Sequence, residues 1–347
     1  MHKQPALEPA ILRRMLYFLK LTREAESRIE LTLYRQGKIV GGVYTSRGQE
    51  AIGVGSAVQL VEGDVVLPSH RDFSSYLTRG IPLDRILSNW MARADGPTRG
   101  RDKTLYLGDL ERGVIPTISA LGDNCPVACG IAMVLKWRGK SNVVLVHFGD
   151  GAASRGDVHE AMNWAAVMKL PVLFLINNNG YAFSTPTEKQ YALKNLSERG
   201  PAYDMPGVTI DGNDILAIYS AVKEAIQRAR LGLGPTIIEC KTFRMTGHAG
   251  HDAAEYVPKK FLEEGKKRDP ISLFERYLLE RKLVTATSLK KLESRVQKEI
   301  DEAVAKAESG LIPEGHTALE GVYCGESCWW ERPITEAKDP SPGIVSP

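Results

Sequence analysis

VVLVHFGDGAASRGDVHEAMNWAAVMKLPVLFLINNNGYAF, residues 143–183, reads as one strand–helix–strand unit. The runs VVLVHF (143–148) and VLFLINN (172–178) are short, apolar and rich in β-branched residues, as suits parallel strands buried on both faces. Between them GDVHEAMNWAAVMK (156–169) repeats its apolar residues at helical spacing. Parallel strands joined by a helix bring their carboxyl ends to one edge of the sheet, where open α/β sheets bind ligands. Asp150 and Asn179 are therefore expected to meet across one crevice.

Their chemistry suits a hard cation holding a diphosphate. Mg takes oxygen ligands, and Asp150, the Asn179 amide oxygen and the main-chain carbonyl of Tyr181 can supply three of them. Gly149 and Gly151 let the backbone turn close to phosphates, and the helix start that follows favours negative charge. Each half of the motif has a plainer reading: GDG after a strand can be a turn with an Asp helix cap, and NNNG a loop. The joint spacing favours the metal-diphosphate reading.

Working outward, VVLPSH (65–70) and TIIECKTF (236–243) read as further strands. IPLDRILSNWMA (81–92), CPVACGIAMVLKWR (125–138) and NDILAIYSAVKEAIQRARLG (213–232) read as helices. The alternation predicts an α/β fold, a parallel sheet with helices on both faces. Residues 92–113 are charged and Gly-rich without a period, so a long loop is expected. Residues 6–38 form an amphipathic docking helix without the unbroken apolar core of a secretion signal. The predicted organisation is an N-terminal helical segment (1–40), the α/β domain (41–269), C-terminal helices (270–325) and a loose or partner-bound tail (326–347).

The chain has 347 residues, 43% hydrophobic and 25% charged, with a net charge of +3. So small a charge argues against nucleic-acid and membrane partners, and no apolar run has the ~18 residues of a membrane span. Five scattered cysteines, Cys125, Cys129, Cys240, Cys324 and Cys328, suit a reducing compartment and a cytoplasmic location.

GDGAASRGDVHEAMNWAAVMKLPVLFLINNNGYAFSTP resembles the thiamine diphosphate motif of the alpha subunit in the first component of 2-oxo acid dehydrogenase complexes, the pyruvate and branched-chain family. YTSRGQEAIGVGSA (44–57), SHRDFSSYLTRG (69–80), TISALGDNCP (117–126) and KTFRMTGHAGHD (241–252) carry the resemblance over residues 10–325. It implies the thiamine diphosphate-binding fold with helical extensions at both ends. The implied reaction is decarboxylation of a 2-oxo acid on Mg-thiamine diphosphate, the acyl group passing to the lipoyl domain of an acyltransferase component.

The resemblance also assigns roles. Asp150, Asn179 and the Tyr181 carbonyl match the Mg ligands, and Gly151 and Ala152 match backbone contacts to the diphosphate. Arg71 and His70 fall where the family has a Tyr-Arg pair beside the diphosphate, His70 being the departure. Ser119 and Leu121 align with the segment under the cofactor's bent middle. His248 matches the histidine that reaches the reaction centre; from the residues alone, a solvated loop histidine or a metal pair with His251 stays open.

Two further departures concern control and specificity. Ala249 stands where mitochondrial relatives carry a regulatory serine. GRDKTLYLGD (100–109) replaces a Met-His-Met-type segment on the substrate side, and Leu105, Tyr106 and Leu107 include no histidine. The glutamate that activates the cofactor belongs in this family to a beta subunit, which implies an alpha-beta heterotetramer. Split transketolase-like or acetoin-cleaving enzymes and a non-catalytic assembly subunit are the rival readings. A nicotinamide oxidoreductase lacks its G-x-G-x-x-G here.

Overall fold

The computed structural model describes residues 7–39, 41–102 and 105–321; the tail expected over 326–347 lies outside the described residues. In chain order come α1 (Pro9–Arg28), α2 (Glu50–Ala57), β1 (Val65–Leu67), α3 (Phe73–Thr78), α4 (Leu83–Trp90) and α5 (Asn124–Trp137). The unit read first from sequence follows as β2 (Val144–Gly149), α6 (Gly156–Val167) and β3 (Val172–Asn178). Then come a small hairpin, β4 (Tyr181–Ala182) and β5 (Thr185–Pro186), and β6 (Gly207–Asp211), α7 (Ile215–Arg230) and β7 (Thr236–Lys241). The C-terminal part is helical: α8 (Lys259–Lys266), α9 (Pro270–Glu280) and α10 (Ala286–Ser309).

Five strands form one parallel sheet in the order β1-β2-β3-β7-β6. On one face Val144, Val146 and Phe148 of β2 and Val172, Phe174 and Ile176 of β3 pack in one core with residues of α5 and α6. On the other, Leu145, Leu173, Leu175 and Ile238 pack with α2, α7 and the helices beyond them. The expected α/β sheet with helices on both faces is thus the fold of the chain. Each such side chain contributes about 1.5–3 kcal/mol when fully buried. A one-residue slip would turn the α6 set outward and push His147 and Asn177 into that apolar core, so burial sets the register.

The two ends of the described chain pack together. Leu12, Met15, Leu16 and Leu19 of α1 are buried in the core that also holds Val296 and Ile300 of α10. Arg28 pairs with Asp301 at 2.6 Å, and the Tyr17 hydroxyl donates to Glu299 at 2.8 Å. The helix expected over 6–38 is α-helical over Pro9–Arg28 and widens into a π-turn at Ile29–Leu33.

Among the described residues between α4 and α5 there is neither helix nor strand, and Val66 exchanges backbone bonds with Gly113 and Ile115, covering the β1 edge. β6 has no counterpart in the sequence reading. As an edge strand largely open to solvent it carries no buried apolar run. Among the described residues no helix is long and apolar enough to cross a membrane. Cys125, Cys129 and Cys240 are buried free thiols.

Candidate active site

β2 and β3 run in register, Gly149 opposite Asn177, so the residues just past each strand share one edge. There they border a cavity of about 360 Å³. His70, Arg71, Leu121, Asp150, Gly151, Ala152, Asn179, Tyr181 and His248 all line it. Ser119 is not in the lining: it is exposed, and the Tyr106 hydroxyl donates to its Oγ at 3.3 Å.

Asp150 is 1% exposed. Burial raises its carboxyl above the ordinary range, against the Gln190 amide (2.9 Å) and the backbone N–H groups of Asp150 and Asn179, which lower it. A cation beside it would relieve that desolvation. The Asn179 amide oxygen accepts the Tyr181 N–H at 3.3 Å, with Gly180 at φ +88° making the turn, a conformation other residues rarely adopt. Gly151 is needed for a different reason than the tight turn expected. Its φ is −64°, but a Cβ there would stand 2.5 Å from that of Ala182.

Two guanidinium groups face this carboxylate edge with only neutral partners. Arg71 donates to the carbonyls of Thr45 (3.2 Å) and His248 (2.6 Å) and lies 3.2 Å from His248 Nδ1. Burial first, and then Arg244, bring its pKa down to about 10. Arg244 donates to the carbonyls of Thr246 and Phe183 and to the Tyr256 hydroxyl. Buried cations ordinarily have an anionic partner, so this pair fits a polyanion. Five cavity residues also hold buried polar atoms without a hydrogen-bond partner: Gln49 Nε2, both ring nitrogens of His70, Asn124 Oδ1, His147 Nδ1 and Asn177 Oδ1. In native interiors such atoms are met by ordered water, an ion or a ligand. The donor set therefore fits a diphosphate held by a divalent ion.

Two of the histidines that line the cavity, His70 and His248, are neutral near pH 7. Burial, with the charge of Arg71, lowers His70 to about 3 and His248 to about 4. The His248 main chain is held from outside the cavity, its backbone N–H donating to Asp252 at 2.6 Å while the Tyr256 hydroxyl donates to the same carboxylate. A neutral imidazole can accept a proton or donate a hydrogen bond at the reacting centre.

Sequence reading missed Gln49, Asp72, His147, Asn177 and Arg244. Asn177 Nδ2 donates to Asp72 at 2.8 Å, and His147 Nδ1 lies 3.5 Å from the same carboxylate. Burial alone would raise Asp72, but His147 and Ser69 outweigh it and hold the pKa at about 2. These contacts fasten the 69–72 turn, and with it Arg71, to the sheet. The available signal was a titratable residue inside an apolar strand, His147 in VVLVHF.

Behind the cavity, Glu26 of α1 accepts the Ser46 N–H at 2.7 Å and its hydroxyl at 2.9 Å, steadying the segment that carries Gln49. Burial and the nearby Glu50 raise Glu26 from 4.5 to about 8. A raised carboxyl pKa means that the folded state holds the extra proton, so this contribution is complete below 4.5 and lost as pH rises through 8. The histidines act oppositely, their neutral burial costing stability only as pH falls below their ordinary 6.5. From pH 6.5 to 8 the wild-type chain should therefore lose about 2 kcal/mol relative to Glu26→Gln. Urea unfolding of both across that window checks it; parallel curves would show Glu26 already ionised.

A parallel α/β sheet with a cationic, carboxylate-tipped cavity at its carboxyl edge defines a cofactor-dependent enzyme of the diphosphate-binding type. The sequence matches the dehydrogenase E1 component family over residues 17–315. It is 39% identical over 292 residues to the alpha subunit of acetoin:2,6-dichlorophenolindophenol oxidoreductase of Bacillus subtilis, covering 84% of this chain and 87% of that one. It is also 39% identical over 306 residues to the 2-oxoisovalerate dehydrogenase alpha subunit of the same organism, covering 87% and 92%. The E1 alpha subunit of pyruvate dehydrogenase from Rickettsia felis is 33% identical over 294 residues, covering 84% and 90%. The chain belongs to the dehydrogenase E1 component family, which is thiamine diphosphate-dependent, as an alpha-type subunit.

Proposed function

We propose that this chain binds Mg-thiamine diphosphate and, with a beta subunit, oxidatively decarboxylates a 2-oxo acid, pyruvate or branched-chain, in the cytoplasm, the acyl group passing to a lipoyl domain. What carries the reading is buried Asp150 facing Arg71 and Arg244 across one cavity. Asp150, the Asn179 amide oxygen and the Tyr181 carbonyl would hold the metal. Arg71 and the backbone at Gly151 and Ala152 would hold the diphosphate, with His70 beside it. Leu121 would support the cofactor's middle; Ser119, exposed and bonded to Tyr106, would support the same segment from outside.

Bound cofactor supplies a nucleophilic carbon and an electron sink, chemistry that no side chain here offers. The protein's part is position and charge. His248, neutral and oriented by Arg71 and Asp252, would donate a hydrogen bond to the substrate's keto oxygen and move a proton at its ring nitrogen. Phe148, Ile118 and Leu121 would keep water from the reacting end.

An acetoin-cleaving enzyme is the second reading, favoured by the equal identity to the acetoin and 2-oxoisovalerate relatives. The deciding experiment offers the chain and its beta partner pyruvate, three branched 2-oxo acids and acetoin with an artificial electron acceptor. Carbon dioxide from a 2-oxo acid at kcat/KM at least tenfold above acetoin turnover is the expected result. Acetoin oxidation alone would replace the dehydrogenase reading.

A further inference from the structure

We propose that Phe183 sets the length of acyl chain that the site accepts. That role rests on the proposed function, in which His248 faces the substrate. Ala182 pairs with Thr185, so Phe183 and Ser184 are the two turn residues of the β4–β5 hairpin. Phe183 sits there at φ +54°. Tight hairpin turns fill positive-φ positions with Gly, Asn or Asp, and a bulky aromatic there is strained.

Strain of this kind persists where surrounding contacts impose it, and it gathers at functional sites. Here the contacts are visible. Arg244 donates to the Phe183 carbonyl at 3.1 Å, and the Phe183 ring lies 6.2 Å from Tyr256 at a 24° tilt. Its other neighbour is His248, edge-on at 4.6 Å between centroids. Phe183 lines the cavity yet is 53% exposed, which places the ring where the cavity opens.

Burial in the protein core is not what keeps a phenyl group at this turn. A substrate bonded through its keto oxygen to His248 must run its carbon chain past whatever touches that imidazole. The ring occupies that space and so limits the chain's length. One methylene in such a pocket discriminates by about 10–200-fold.

The test uses Phe183→Ala and Phe183→Asn, each assembled with the beta subunit. Both should raise the kcat/KM ratio of 4-methyl-2-oxopentanoate to pyruvate at least about tenfold. Thiamine diphosphate affinity, measured by calorimetry, should stay within about twofold of wild type. Phe183→Asn should melt above Phe183→Ala, because asparagine tolerates positive φ. An unchanged ratio with an active wild type would overturn this role alone, as would a parallel loss of cofactor affinity. A wild-type assembly inert to every 2-oxo acid would overturn both the role and the function beneath it.

Discussion

Asp150→Ala is expected to lower Mg-dependent affinity for thiamine diphosphate by at least about 100-fold while leaving the chain folded. Altering even the groups that support a metal ligand costs 10–100-fold, and Asp150 would be a ligand itself. No neighbour can replace it: among the described residues lining the cavity, Asp150 is the sole carboxylate. The fold should not suffer, because its burial is an unfavourable term that alanine removes. Asp150→Asn keeps the shape without the charge and should lose most of the same affinity. Calorimetric titration with and without Mg reads both; affinity equal to wild type would remove the metal assignment.

The isolated chain should show no measurable turnover, and a beta subunit should raise decarboxylation by at least 10²–10⁴-fold, the span of general acid-base catalysis. With Asp150 committed to the metal, no other carboxylate on the described cavity wall is left to activate the cofactor's aminopyrimidine ring. The surface where a beta subunit is expected to dock is an exposed apolar one on α5. Asn124, at the start of α5, lines the cavity, and beyond it Val127 (39% exposed), Val134 (40%) and Trp137 (69%) are exposed. Val127, Ile131 and Val134 follow one another at four- and three-residue steps, so they form one stripe. Apolar stripes of this kind mark protein interfaces. Val134→Asp should therefore prevent assembly with the beta chain in gel filtration and abolish the gain, with thiamine diphosphate still bound weakly by the free chain. Full turnover by the wild-type chain alone would contradict the split site; undiminished assembly of Val134→Asp would move the interface elsewhere.

The central unit was legible because its signals are local. The strands around GDG and NNN are set by apolar runs, the helix between them by its period, and one crossover suffices to bring Asp150 and Asn179 together. The Asp72–His147–Asn177 cluster was not legible. Its members come from a turn and two strands, and only the register of β2 against β3 aligns them. Arg244 lay within a stretch quoted for its histidine, yet nothing in KTFRMTGHAGHD says that this arginine is buried without an anion. Gly151 was read as a flexible turn; packing against Ala182 is what demands it. Ser119 aligned with the site but faces outward, where Tyr106 reaches it.

Short-range chemistry alone determined the parallel α/β architecture, the edge that carries the site and the oxygen donors that meet there, since strand burial, helix period and crossover geometry act over a few dozen residues. Tertiary packing decided the rest: which charges are left unpaired, which histidines stay neutral, and which ring leans on His248. Those properties depend on desolvation and on contacts between residues far apart in the chain, such as Phe183 with His248 and Arg71 with His248, and a linear order of residues carries no measure of either.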